Sequence, residues 1–296
     1  MESSAEPLHP AIAAIAARAQ VHRVTAHHKT LVWRAFPADV AAGEAAKPAL
    51  VLLHGGHGNW LHWLRNIDAL RQTHNLWLAD MPGFGDSDDV IELGDFGELV
   101  DALEDSLTQL IAPTTPIDLA GFSFGALAAT HLAAQVSAQA SPALKLCKLA
   151  LLGPAGHGGP RRMESEMVNW RRARSEEQLR EMHAHNLGVL MLHHPTNIDA
   201  LALEIHREAC LATRFYSKAF SRAATLVEQL DAVTLPTLLL WGEHDTTGEP
   251  ENLAAQLCAG HPHRSSHIVR DAGHWVQFEA ANEVNRALGE WFAKAV

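Results

Sequence analysis

Cysteine is scarce in this chain: Cys147, Cys210 and Cys258 stand far apart and match no metal-ligand spacing. That argues against a disulfide-stapled scaffold and reads the three as reduced core thiols of a reducing compartment. A basic excess is missing too. The 296 residues carry a net charge of −11 with histidine neutral, so neither nucleic acid nor an anionic membrane surface is expected as the main partner. No apolar run approaches the length of a membrane span. The apolar stretch Ala11–Ala17 follows Glu2 and Glu6 with no basic segment before it. It therefore reads poorly as a signal peptide and better as a short amphipathic helix lying on the domain. The expectation is a soluble, cytoplasmic protein. Internal repeats and low-complexity linkers are also absent. A hydrophobic content of 47% is ample for one large core, or for a core with an insertion.

What is present is a series of short apolar runs ending in polar or glycine-bearing loops. Leu31–Phe36, Ala49–Leu53, Leu76–Ala79, Ile117–Ala120, Leu149–Leu152, Thr237–Trp241 and His267–Val269 read as strands, alternating with helical segments. That alternation predicts a mainly parallel sheet covered on both faces, with chemistry at the carboxyl ends of its strands. Between about Ala155 and Leu235 the alternation stops. The segment is rich in Arg, Glu, His, Leu and Ala and reads as several helices, entered through Gly153–Pro160 and left through Thr234–Pro236. The expected division is a core of residues 1–155 and 235–296 and a helical cap of residues 156–234.

The segment Gly121-Phe122-Ser123-Phe124-Gly125 lies between the run Ile117–Ala120 and the Ala-rich helical stretch Ala126–Gln139. A serine on such a strand–turn–helix is arranged as a nucleophile elbow, whose sharp turn demands small residues two positions to either side. Further on, Asp245 ends one strand and His274 follows the last, so the order is Ser…Asp…His. Glu243 and Asp271 are substitutes for the acid. An unassisted serine hydroxyl is a poor nucleophile, so His274 would take its proton, and Asp245 would orient the imidazole. The backbone N–H groups of Phe124 and Gly56 would receive the oxyanion. No metal or organic cofactor is required. His54 and the Asp80–Gly85 loop read as structural, with Gly83 and Gly85 supplying tight turns.

His54-Gly55-Gly56, the Asp80–Gly85 loop, the elbow, the Asp245 loop and the His274 loop come in the order of the α/β-hydrolases, which almost the whole chain resembles. The resemblance implies an α/β-hydrolase fold: a mostly parallel central sheet flanked by helices, with a helical cap inserted between two strands. Trp63–Asp68, Leu152–Gly156 and Gly273–Glu279 further resemble the meta-cleavage-product hydrolases, which split carbon–carbon bonds in aromatic degradation. That resemblance implies Trp275 beside the substrate and a cap arginine, for which Arg207 is the nearest match. The chain departs from that family at His57-Gly58-Asn59-Trp60 in the first loop, and at Phe122 and Ala126 around the elbow. His57, Phe122, Arg207 and Trp275 are thus the candidate substrate contacts.

Phe122 and Phe124 suggest an apolar wall, so the expected substrate is a small, mainly apolar carboxylic ester or related carbonyl compound. The alternatives are carbon–carbon hydrolysis of a vinylogous diketone, another triad reaction such as lactone or thioester hydrolysis, acyl transfer or perhydrolysis, and a non-catalytic ligand receptor. Dehalogenases and epoxide hydrolases of this fold use aspartate where Ser123 stands. The arginines 161, 162, 171, 172 and 174 interleave with glutamates and read as a solvated helix face. His183/His185 and His193/His194 have no carboxylate or cysteine partner at metal-ligand spacing. The surface helices leave a homo-oligomer open.

Overall fold

A computed structural model of the chain describes residues 8–39, 47–89 and 96–294, so Glu2 and Glu6 lie outside it. Its strands are β1 (Gln20–Ala26), β2 (Lys29–Phe36), β3 (Ala49–Leu53), β4 (Asn75–Asp80), β5 (Pro116–Phe122), β6 (Lys145–Leu152), β7 (Thr237–Gly242) and β8 (Arg264–Val269). They form one sheet in the order β1-β2-β4-β3-β5-β6-β7-β8. Strands β1, β2 and β4 pair antiparallel, and every pairing from β4 through β8 is parallel. The α/β-hydrolase fold expected from the sequence is the fold observed.

The helices are α1 (Pro10–Ala16), α2 (Ile67–Leu70), α3 (Phe96–Leu110), α4 (Phe124–Ser137), α5 (Glu176–Asn186), α6 (Ala200–Leu211), α7 (Lys218–Arg222), α8 (Leu226–Asp231), α9 (Pro250–Cys258), α10 (Val276–Glu279) and α11 (Ala281–Ala293). Among the described residues, none is long and apolar enough to cross a membrane. Between β6 and β7 the described chain is helical or looped, with α5 through α8 in that stretch. The short N-terminal helix is present: α1 buries Ile12 and Ile15, and His9 donates its N–H to Glu204 Oε1 on α6 at 2.7 Å.

Central strands buried on both faces read as unbroken apolar runs, and every residue of β3 is buried. Side chains alternate across the sheet. Leu119 therefore joins α3, α4 and α8 on one face, while Ala120 and Phe122 join α2, α10 and α11 on the other. Helix α4 is covered nearly all round, which suits its alanine-rich sequence, and Thr130 satisfies its buried hydroxyl by donating to Ala126 O at 2.8 Å. The helix starts directly behind the carboxyl end of β5, and that junction positions the site.

Candidate active site

At the β5–α4 junction Ser123 has φ 53° and ψ −113°, a conformation L-residues rarely adopt. The surroundings over-determine it, as such strain requires. Ser123 N–H donates to Leu152 O at 2.8 Å, and its carbonyl accepts from Ala126, Leu127 and Ala155 at 3.0, 3.2 and 3.1 Å. A Cβ on Gly121 would stand 2.3 Å from Gly125 O, and one on Gly125 would stand 2.3 Å from His54 O. The small residues flanking the serine are thus required by backbone-to-backbone approach.

Ser123 Oγ lies 2.9 Å from His274 Nε2, and His274 Nδ1 lies 2.7 Å from Asp245 Oδ2. With Nδ1–H donating to the carboxylate, Nε2 is free to accept the serine proton. The other carboxylate oxygen accepts from Thr247 N–H at 2.8 Å and from the Thr247 hydroxyl at 2.7 Å. Burial alone would raise the Asp245 pKa. The charge of His274 and the hydrogen bonds from His274 and Thr247 outweigh it and hold the group below the usual carboxylate range. The two substitute acids face elsewhere: Glu243 takes Arg270 at 2.6 Å, and Asp271 approaches His194 at 2.9 Å. Gly153, with φ 48°, closes the floor, since a Cβ there would be 2.9 Å from Asp245 Oδ2 and 3.0 Å from His274 Nδ1.

The Phe124 N–H is the first of α4, where helices leave donors unpaired. Among the described residues neither it nor the Gly56 N–H has a protein acceptor. A Cβ on Gly56 would meet Ser217 Oγ at 2.6 Å and Phe124 Cβ at 3.6 Å, which puts the two loops side by side. Next to Gly56, His57 is half-buried with φ 55°. Burial, with Arg171 and Lys218 nearby, lowers its pKa.

Three of the expected substrate contacts are placed differently. The rings of Phe122 and Trp275 are 0% exposed, leaving no room for even a water beside them. Phe122 lies under His274, ring centroids 4.9 Å apart, and Trp275 stacks on Phe278 at 4.2 Å while donating its indole N–H to His62 O at 3.0 Å. Both back the site. Arg207 turns to Glu208 at 2.5 Å and Glu176 at 3.2 Å, and its neighbour His206 is the buried residue of that pair. One residue along a helix is a rotation of about 100°, which takes Arg207 off the inner face. Phe124 packs on the opposite side of the sheet from Phe122, against Phe84, Phe96 and Phe215.

Several supporting residues escaped sequence reasoning. Arg162, grouped with the solvated arginines, donates to the carbonyls of Gly248, Glu243 and Asp245 at 2.8, 3.0 and 3.1 Å and so clamps the Asp245 loop. Glu279 accepts the N–H groups of Gly273, His193 and His194 at 2.7, 3.0 and 2.8 Å, fixing the turn that carries His274. The wide helical turn Leu187–Met191 offers spare carbonyls: Met191 O accepts Trp275 N–H at 2.7 Å, and Val189 O accepts the Thr246 hydroxyl at 3.3 Å. Only Thr247 had a readable signal, because an aspartate followed two residues on by a free N–H is an Asx turn.

His54 is structural, as expected. Its Nδ1 faces Gly55 O at 2.8 Å, and its Nε2 accepts Met81 N–H at 3.1 Å. Burial holds its pKa down to about 4. An unfolded imidazole titrates near 6.5. Between those values the unfolded chain binds a proton that the folded chain does not, so stability falls as pH drops from about 6.5 towards 4. The urea midpoint is therefore expected to decrease from pH 7 to pH 5, with a shallower slope in His54→Gln. A midpoint independent of pH over that range would contradict the buried neutral imidazole.

A mostly parallel eight-stranded sheet with a serine, a histidine and a carboxylate meeting at its strand ends defines a class of enzymes. The chain belongs to the alpha/beta hydrolase family, whose sequence profile matches residues 50–287, and it is a hydrolase. It is 27% identical over 262 residues to the 2-hydroxy-6-oxononadienedioate/2-hydroxy-6-oxononatrienedioate hydrolase of Paraburkholderia phymatum, covering 82% of this chain and 86% of that one. Among solved structures it is similar to a carboxylesterase from Bacillus subtilis, with a TM-score of 0.75 at 15% identity over 97% of this chain and 95% of that one. It is also similar to the meta-cleavage product hydrolase of Pseudomonas fluorescens IP01, with a TM-score of 0.70 at 20% identity over 92% and 97%.

Proposed function

We infer that the protein is a serine hydrolase in which Ser123 attacks a carbonyl carbon, His274 carries the proton, Asp245 orients His274, and the N–H groups of Gly56 and Phe124 receive the oxyanion. The observation that carries this reading is the 2.9 Å and 2.7 Å relay from Ser123 through His274 to a buried Asp245. Proton transfer to the imidazole makes the hydroxyl nucleophilic, and the same proton then goes to the leaving group. Residues 156–234 serve as the cap over this face. Support comes from Ser217 and Phe215, which reach Gly56 and Gly83 to within 2.6 and 2.7 Å of a Cβ built there.

The substrate read from this site is a small, mainly apolar carboxylic ester. Arg207 is committed to Glu176 and Glu208, and His57 and His62 both have lowered pKa values, burial being the largest cause, so they stay neutral at physiological pH. The cations that remain near this face, Arg171 and Lys218 close to His57 and Arg161 close to Asp245 and His157, are the ones a dicarboxylate would use. The second reading is carbon–carbon hydrolysis of a ring-fission dienol, favoured by the names of the curated relatives. Turnover of p-nitrophenyl esters of graded length, beside a ring-fission dienol, separates the two. The expected result is a higher kcat/KM on short neutral esters. A higher value on the dienol would replace the ester reading with the second one. Failure of Ser123 to label with a fluorophosphonate would remove both.

A further inference from the structure

We propose that His183, His206 and Cys210 form a site for a thiophilic divalent transition-metal ion, Zn2+ by its ligand chemistry, which joins α5 to α6. Helix α6 supplies His206 and Cys210 at a spacing of four, which sets them one above the other on a single helical face. Helix α5 supplies His183 opposite them. The three potential ligand atoms lie within 4.8 Å of one another.

The distances suit a tetrahedral ion. With Zn–S of about 2.3 Å and Zn–N of about 2.0–2.1 Å, the sulfur and nitrogen ligands of a tetrahedral site stand about 3.6 Å apart. Cys210 Sγ is 3.7 Å from His206 Nε2. The His183 and His206 rings meet edge to face, 86° apart with centroids at 5.1 Å.

A second observation points to a ligand independently of that spacing. His183 is 1% exposed, yet neither of its ring nitrogens has a hydrogen-bond partner among the described residues. An unsatisfied buried donor or acceptor costs about 1–3 kcal/mol, and buried polar groups in folded proteins are seldom left so. Trp170 covers His183 with ring centroids at 5.1 Å, so bulk water does not supply the missing partner. A metal ion answers one of the two nitrogens directly.

The imidazoles already have the protonation state that ligation needs, whereas the thiol has to lose its proton to the ion. Metal ligation needs neutral imidazoles, and burial keeps His183 and His206 neutral, at about 4 and about 3. The thiol is pushed up to about 12 by burial, while Arg171 opposes that shift and favours the thiolate. Binding therefore releases the Cys210 proton to solvent: one ion enters, one proton leaves, and the site carries one net positive charge. The nearby Arg207 is already balanced by Glu176 and Glu208. One thiolate and two imidazoles select zinc-like ions over magnesium or calcium, and they leave a fourth position for water.

The test uses the full chain, stripped of metal with a chelator and titrated with Co2+ as a spectroscopic probe. The expected result is one equivalent bound, with a thiolate-to-cobalt charge-transfer band and the intense visible absorption of a tetrahedral ion, both displaced by Zn2+. Cys210→Ser loses the charge-transfer band, whereas Cys147→Ser and Cys258→Ser keep it. His183→Gln and His206→Gln weaken binding by at least tenfold. Zn2+ raises the melting temperature of the wild type and leaves that of Cys210→Ser unchanged, a comparison that holds even where a variant is less stable. Absence of the band at one equivalent in the wild type, or its persistence in Cys210→Ser, overturns the site.

Discussion

Ser123→Ala is expected to lower kcat by on the order of 10⁵- to 10⁶-fold, with His274→Ala costing as much and the double variant scarcely more, because the two groups act as a unit. Among the described residues the serine hydroxyl's one hydrogen bond is to His274. Its removal therefore leaves nothing else unpaired, and the melting temperature should barely move. The positive φ of 53° is equally unfavourable for alanine, so the strain at the elbow is retained. Some activity over water survives through the Gly56 and Phe124 donors, since triad-deleted enzymes keep roughly 10³–10⁴-fold from oxyanion binding. Turnover of an activated ester, measured alongside a thermal melt, checks this. Retention of more than about one per cent of kcat by either single variant would remove Ser123 and His274 from the roles given to them.

Asp245→Asn comes next in size, with a loss of roughly 10⁴-fold in kcat and little change in the fold. One oxygen of Asp245 already accepts two bonds from Thr247, at 2.8 and 2.7 Å. An asparagine must keep its oxygen there, because its amide nitrogen would face two donors. The amide N–H2 then points at His274 Nδ1, which has to become the acceptor, and the imidazole proton moves to Nε2. In that tautomer His274 cannot take the proton of Ser123. Thr247→Val removes the hydroxyl bond, keeps the backbone bond, and is expected to cost far less. Parallel kcat measurements on the two variants, with near-ultraviolet circular dichroism to verify packing, decide the matter. An Asp245→Asn enzyme within tenfold of wild type would show that the carboxylate does not set the tautomer.

How much of this was legible depends on whether a feature is local. The interior strands announced themselves because both their faces are buried, as in Ala49–Leu53. Strand β1 did not: Gln20–Ala26 sits at the sheet's edge, largely exposed until Ala26, and carries no apolar run to detect. Ser123, Asp245 and His274 were readable because each ends a strand at a turn with its own signature. Their supports were not, because they are made by distant packing. Gly153 is required by side chains far along the chain, and the carbonyls that Arg162 clamps belong to residues beyond β7. Helical phase was beyond the resemblance that pointed to Arg207: in α6 that side chain pairs with Glu176 and Glu208, and its neighbour His206 is the buried residue. The Phe122 ring, read as a wall for substrate, lies instead beneath His274.

Ser123 and His274, which on the proposed mechanism exchange a proton, stand 2.9 Å apart and are separated by 151 residues of chain. At a ribosomal pace of about 5–20 residues per second, His274 follows Ser123 out of the ribosome by on the order of ten seconds. During that interval the elbow can form with β5 and α4, but its hydroxyl has no base and stays chemically inert towards the acyl compounds around it. On the proposed mechanism, activity is thus switched on by the last pieces of sheet to be made, β7 and β8 with the loops behind them. Regain of turnover in a refolding experiment accordingly reports the docking of the C-terminal quarter of the molecule, after the spectroscopic signals of the earlier strands have already returned.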